Sequence, residues 1–174
     1  IMSNGASVHR TGTRMCPLIT LASDPAKLNA LYTDVVEAIH AVSPTRVVAM
    51  PPGKLDRPWD LHELHAPPSC HGYCIAEFHI IASGPCTVNC STAAGEFAWT
   101  GENGTHAERA KMRTAIEDAA TWRQNPGGLP LWTGAFMPGP YNHPEKGQMT
   151  VEAQVSFASF YTQLLAQHRI GWSV

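Results

Sequence analysis

A glutamate and a histidine two positions apart are the residues best placed to do chemistry in this sequence. Glu77 and His79 lie in segment 73–81, whose β-branched and aromatic residues predict a strand. Side chains alternate along a strand, so both point to the same side of it. If that side is buried, a carboxylate on it is desolvated and its pKa raised, which suits a general acid. Both residues are therefore catalytic candidates, and a hydrogen-bonded structural role is the alternative for each.

A second source of carboxylates is the long irregular loop that follows this strand. It contains Glu96, Trp99 and Glu102. Glu96 is the third catalytic candidate, because a loop at the carboxyl end of a strand can bring it to the same edge as His79. The alternative is that both glutamates are simply solvated.

Composition limits the class of protein. With 174 residues, of which 44% are hydrophobic, the chain can form one domain with a sizeable core. A net charge of -2 and scattered Lys and Arg argue against nucleic acid as a partner, and no apolar run is long enough for a membrane helix. Residues 1–23 are predicted to be a poorly structured or unrelated lead, and residues 24–174 the domain. The lead lacks the apolar core of a secretion signal, so any such signal was removed, lies upstream or never existed.

The five cysteines leave three interpretations open. Four of them form two C-x3-C pairs, Cys70 with Cys74 and Cys86 with Cys90. Disulfides fit a secreted or periplasmic protein, and free or buried thiols fit equally well. Zinc together with His71 is less favoured, because structural zinc sites prefer closer spacings such as C-x2-C. We therefore predict no metal and no cofactor.

The elements that would position these residues alternate along the chain. Asp24 and Pro25 predict a helix start, with Leu28, Leu31, Val35, Ile39 and Val42 at helical spacing before Pro44. Thr105 and Glu108 form a capping-box pattern for a second helix, and a third is predicted over residues 151–168 with Val155, Phe157, Phe160, Leu164 and Leu165 inward. Strands are predicted at residues 46–50, 73–81 and 129–133, and at the C-terminus.

Strands separated by helices of this length predict a parallel sheet of about four strands with right-handed crossovers. In such sheets the chemistry lies at the carboxyl ends of the strands. The segments after Met50, His79, Thr133 and Trp172 should therefore meet on one rim.

The order of these segments resembles the C-terminal half of glycoside hydrolase family 5, the cellulase family. The resemblance covers about residues 24–174 and is carried by KLNALYTDVVEAIHAVSPTRVVAMPP, CIAEFHIIASGP, GTHAERAKMRTAIEDAATWRQNPGGLPLWTGAFMPGPYN and VEAQVSFASFYTQLLAQHRIGWSV. It implies an α/β fold of half a (β/α) barrel, comprising strands five to eight of eight.

The resemblance also implies a retaining glycosidase, which needs two carboxylates. The family's acid/base stands in an Asn-Glu-Pro motif that this chain lacks. The nucleophile ends strand seven in a Gly-Glu-Phe-like motif, where this chain has Gly134, Ala135 and Phe136. Both usual carboxylates are thus missing, whereas His79 matches the family's strand-six histidine.

Aromatic residues near the rim are candidates for stacking on sugar rings. The substrate-binding candidates are Trp99, Trp132, Tyr141, Asn142 and Trp172. Trp99 and Tyr141 are expected to be exposed, and the alternative for Trp132 and Trp172 is a core position.

Three functions follow. The first is hydrolysis of a β-linked glucan by a non-standard carboxylate pair drawn from Glu77 and Glu96. The second is a carbohydrate-binding half barrel with little or no catalysis, and the third is a metal-binding structural fragment. An oligo- or polysaccharide is the expected substrate. A homodimer or higher oligomer is also expected, since half a barrel leaves sheet edges and an apolar face uncovered.

Overall fold

The computed structural model describes residues 24–83, 96–138 and 149–173. The helices are α1 (Pro25–Val42), the single turn α2 (Gly53–Asp56), α3 (His106–Gln124) and α4 (Val151–Gln167). The strands are β1 (Val48–Met50), β2 (Cys74–Ser83), β3 (Glu96–Ala98), β4 (Leu131–Pro138) and β5 (Gly171–Trp172). Two 3₁₀ turns, Pro58–Glu63 and Pro68–Cys70, connect α2 to β2. Residues 1–23 lie outside the described part of the chain.

All five strands are parallel, as predicted. The sheet order is β1-β2-β4-β5, and β3 pairs with the carboxyl end of β2, where Ile81 lies opposite Glu96. The sequence predicts a loop at residues 96–98, and this prediction is wrong. Strand β3 is only three residues long, too short for alternation to reveal it. Central strand β2 thus pairs with three neighbours.

Helix α1 begins and ends where its sequence signals predict. The Asp24 carboxylate accepts a hydrogen bond from the Lys27 backbone N–H, Pro25 occupies the first turn, and the helix stops before Pro44. Its predicted apolar face is wrong in part. Leu31, Val35 and Val42 are exposed, whereas Val36 and His40 are buried.

His40 accounts for this difference between the predicted and the observed buried face of α1. Nδ1 of His40 lies 2.6 Å from the Ser69 carbonyl oxygen and Nε2 lies 2.9 Å from that of Arg46. Both partners are acceptors, so the single N–H of the neutral ring donates to one of these two carbonyl groups. His40 thus joins α1 to the turn before β2, although a hydropathy pattern assigns it to the surface.

Helix α3 has the predicted capping box. The Thr105 side chain accepts from the Glu108 backbone N–H, and the Glu108 carboxylate accepts from the Thr105 backbone N–H. The same carboxylate accepts hydrogen bonds from the backbone and hydroxyl of Thr100. Burial raises the pKa of Glu108, but these hydrogen bonds outweigh it and lower the pKa overall. One side chain therefore starts α3 and holds the end of β3 against it.

Helix α4 covers one face of the sheet with aromatic rings. Phe157 stacks on Tyr161 at 5.8 Å, and both rings contact Phe136 of β4. The Tyr161 hydroxyl lies 3.1 Å from that of Thr133, so the buried polar groups satisfy each other. The predicted inward position of Val155 is wrong, because its side chain is 63% exposed.

The architecture confirms the predicted fold class. A parallel sheet has one face packed against α3 and α4, where Phe78, Ile80 and Ile116 are fully buried. The other face of β2 carries Glu77 and His79, which are only partly buried. We call this second face the open face. Within the described residues, no helix is both long and apolar enough to cross a membrane.

Candidate active site

Strand β2 places Glu77 and His79 side by side on the open face, as the sequence predicts. Oε1 of Glu77 lies 3.2 Å from Nε2 of His79. Their side chains are 24% and 32% exposed, so both are screened from bulk water while remaining accessible. This pair is the centre of the candidate site.

An irregularity in the pairing of β2 with β4 makes room for the Glu77 carboxylate. The register shifts between Phe78 and His79, which lie opposite Thr133 and Ala135, so that Gly134 has no partner. A Cβ atom on Gly134 would overlap Oε1 of Glu77. The absence of a Cβ at Gly134 therefore allows the Glu77 carboxylate to occupy this position, and such close approaches are one reason glycine appears inside strands.

Asp56 completes the cluster from the last residue of α2. Its Oδ2 lies 3.6 Å from Nδ1 of His79, on the opposite side of the ring from Glu77. Burial raises the pKa of Asp56; the His79 charge opposes this and the Glu77 charge adds to it. The backbone of Asp56 has φ 54°, a left-handed conformation that Asp tolerates better than most residues.

The sequence does not predict Asp56 as a site residue. A four-residue helical turn has no periodicity, so nothing local marked this aspartate. One signal was available: residues 51–57 follow Met50, and the segment after a parallel strand lies on the carboxyl rim.

Tyr32 of α1 holds the segment that leads to Asp56. Its hydroxyl donates to the Pro51 carbonyl at 2.7 Å. Burial, with smaller effects from the charges of Asp56 and Glu77, raises the pKa of Tyr32 to about 12. The phenol therefore keeps its proton and remains a hydrogen-bond donor at neutral pH.

The predicted aromatic ligands do not converge on one surface. Trp132 lies opposite Glu77 on the open face, with its ring across Gly171. Trp172 is 43% exposed, but its ring contacts Phe136 on the helix-covered face, so it points away from Glu77. A strand residue opposite buried Thr133 must share its face. Trp172 is therefore not part of this cluster.

The prediction that Trp99 is exposed is wrong. The side chain is 1% exposed and its ring packs against Phe157 and Phe160 of α4. Gly104, with φ 62° and no Cβ, allows the loop to close over the ring. Trp99 is a core residue, unavailable for stacking on a ligand.

The other predicted site residues are less completely described. Glu96 begins β3, which aligns its backbone with Ile81, two positions beyond His79. Tyr141 and Asn142 lie outside the described residues, as do Cys86 and Cys90. For Cys70 and Cys74 the structure confirms the disulfide interpretation. Residues 24–83, 96–138 and 149–173 contain no group of three side chains suited to a metal ion.

Chemically, the site is a carboxylate–imidazole–carboxylate chain with an open side. Ala135 lies opposite His79 and is exposed, so only a methyl group borders the ring there. Two carboxyl groups in contact with one imidazole can act as a proton donor and a proton acceptor. This arrangement suits acid–base chemistry on a bound substrate.

Comparison with known proteins confirms the fold. No family model matches the sequence, and neither does any curated protein. A solved structure of the clostridial cellulose synthase subunit Z from Clostridioides difficile is similar, with a TM-score of 0.64 and 12% identity over 85% of this chain and 47% of that one.

Two further similar structures are glucanases. One is a hyperthermophilic endo-β-1,4-glucanase in complex with substrate, with a TM-score of 0.62, 16% identity and coverage of 85% of this chain and 45% of that one. The other is a family 5 lichenase from Caldicellulosiruptor sp. F32, with a TM-score of 0.58, 15% identity and coverage of 84% and 39%. The chain thus spans less than half the length of these structures. Its fold is a partial barrel of the family 5 type.

Proposed function

We propose that this domain is a glycoside hydrolase acting on a β-linked glucan, with Glu77 and Asp56 as its carboxylate pair. The observation that carries the proposal is the contact of both carboxyl groups with His79 on the open face. The similar structures of an endo-β-1,4-glucanase and a lichenase share this fold and support the substrate class. Asp56 rather than Glu96 is the proposed second carboxylate, because Asp56 contacts the His79 ring.

Trp132 is the proposed sugar platform. It lies opposite Glu77 in the register of β2 and β4 and is partly buried. The face of an indole ring packs well on the apolar face of a pyranose. The proposed site also includes Glu96, Tyr141 and Asn142. Glu96 is included because β3 pairs with the carboxyl end of β2.

Release of reducing sugar from soluble β-1,4-glucan and from mixed-linkage β-glucan tests this proposal. We expect release from at least one of these polymers and none from starch, whose linkages are α. The control is the same chain carrying Glu77→Gln together with Asp56→Asn, which removes both proposed carboxylates. Equal release by this double variant, or no release from either β-glucan, would contradict the proposal.

Exposed Ala135 favours one alternative, a carbohydrate-binding domain without catalysis. In the resemblance to family 5, this position carries the nucleophile, and a methyl group cannot serve that role. Retardation of the protein in a gel containing β-glucan, without any sugar release, would support binding alone.

We further propose that two copies associate. The described sheet ends at β1 and β3 on one side and at β5 on the other, and α1 exposes Leu31, Val35 and Val42. Unpaired strand edges and exposed apolar side chains favour association. Size-exclusion chromatography with light scattering should give twice the mass of the chain, and a stable monomer at micromolar concentration would exclude this proposal.

A further inference from the structure

A second glycine on the open face makes room for the proposed sugar platform. Gly171 of β5 lies opposite Trp132 of β4 in the register of the sheet. A Cβ atom on Gly171 would lie 2.6 Å from Cε3 of Trp132 and 2.8 Å from Cζ3. Carbon atoms in contact are normally about 3.5–4.0 Å apart. The indole ring therefore lies across β5, in space that a side chain at position 171 would fill.

The Trp132 ring and the Glu77 carboxylate are positioned by different glycines. Glu77 lies opposite Trp132 on the other neighbouring strand, β2. The Glu77 side chain extends towards β4, where it lies over Gly134. The Trp132 ring extends in the same direction across the sheet and lies over Gly171 of β5. A change at either glycine should therefore act first on its own neighbour.

We infer that Gly171 is a positioning residue for substrate binding, because its lack of a Cβ lets the Trp132 ring lie against β5 as a platform for a pyranose. The inference rests on the proposed function, in which Trp132 binds sugar. A platform that holds the substrate and the transition state equally lowers KM without changing kcat. Gly171 therefore controls KM, whereas Gly134 acts on kcat through Glu77.

The backbone of β5 permits the substitution that tests this inference. Gly171 does not have positive φ, so alanine fits its conformation. The strand is also held beyond this residue: the Ser173 N–H donates to the Thr133 carbonyl at 3.0 Å, and the Ser173 hydroxyl donates to the Gly134 carbonyl at 2.9 Å. The methyl group of Gly171→Ala should therefore displace the Trp132 ring rather than the strand, by about 1 Å to restore an ordinary contact.

Calorimetric binding of a β-1,4-linked glucose hexasaccharide tests the inference without depending on catalysis. The chain carrying Glu77→Gln, which keeps the Trp132 ring, is compared with the chain carrying Glu77→Gln and Gly171→Ala. We expect the dissociation constant to rise about 3- to 10-fold, as for the loss of one ring-stacking contact. Unchanged affinity would overturn the inference and leave the hydrolase proposal intact. Absence of binding by both Glu77→Gln and the wild type would instead overturn the proposed function.

Steady-state kinetics with and without the indole ring separate an effect on Trp132 from damage to β5. In the otherwise wild-type chain, Gly171→Ala should raise KM by the same factor and leave kcat within about twofold. In the Trp132→Ala background the methyl group has no ring to displace, so Gly171→Ala should leave KM unchanged. A loss of kcat at unchanged KM, or an equal rise of KM in both backgrounds, would overturn the inference. Failure of Gly171→Ala to fold in both backgrounds would have the same meaning.

Discussion

We expect Glu77→Gln to reduce kcat/KM for β-glucan hydrolysis by about 10²- to 10⁴-fold, the usual contribution of a general acid or base. Glutamine keeps the shape of the side chain and can still hydrogen bond to His79, but it cannot accept a proton from water. The unfolding transition should change little, because the packing of Glu77 against Gly134 is preserved. Initial rates across substrate concentrations, together with thermal unfolding, provide the measurement.

Glu117→Gln is the matched control for this experiment. Glu117 lies exposed on α3, and the substitution changes charge by the same amount. Its activity should equal that of the wild type. If Glu77→Gln retained the activity of Glu117→Gln, Glu77 would be a structural residue and our assignment of Glu77 to the catalytic pair would be wrong.

Gly134→Ala should impair catalysis far more than stability. A Cβ at Gly134 overlaps the carboxylate of Glu77, the mobile end of a flexible side chain, and the backbone of Gly134 does not have positive φ. The strand therefore tolerates alanine, whereas the Glu77 carboxylate must move away from His79. Misplacing a catalytic group by about 1 Å can cost 10²-fold in rate. We expect a loss of this order, with a shift in Tm of only a few degrees.

A double-mutant cycle separates this effect from general damage to the strand. In the Glu77→Ala background the new methyl group meets no carboxylate, so Gly134→Ala should have almost no further effect on activity or stability. Substitutions of residues in contact have non-additive effects, whereas the effects of substitutions at independent residues add. Equal, additive losses in both backgrounds would show that the Gly134 substitution acts through the backbone.

Features with a local physical cause were predictable from the sequence. Asp24 begins α1, and Thr105 and Glu108 begin α3, because these side chains accept hydrogen bonds from free N–H groups at the helix start. Pro25 suits the first turn of α1 because it has no N–H to leave unpaired there. The position of Glu77 and His79 on the same side of β2 was also predictable, because side chains alternate along a strand.

Features that depend on partners distant in sequence were not predictable. His40 is buried because carbonyl groups of Arg46 and Ser69 meet its ring, and Trp99 is buried because α4 and Gly104 enclose it. Neither environment can be predicted from the residues adjacent in sequence. Asp56 was missed for the same reason: its role arises only when α2 brings it to a histidine more than twenty positions away.

The pairing of β2 with three other strands has a consequence for the dynamics of the site. A strand bonded to β1, β3 and β4 cannot separate without breaking most of the sheet, so its amides should exchange with solvent only through global opening. Glu77 and His79 therefore sit on the segment expected to exchange most slowly, whereas Asp56 sits at the end of a single helical turn. The position of Glu77 therefore depends on the whole sheet, whereas that of Asp56 depends on one short turn.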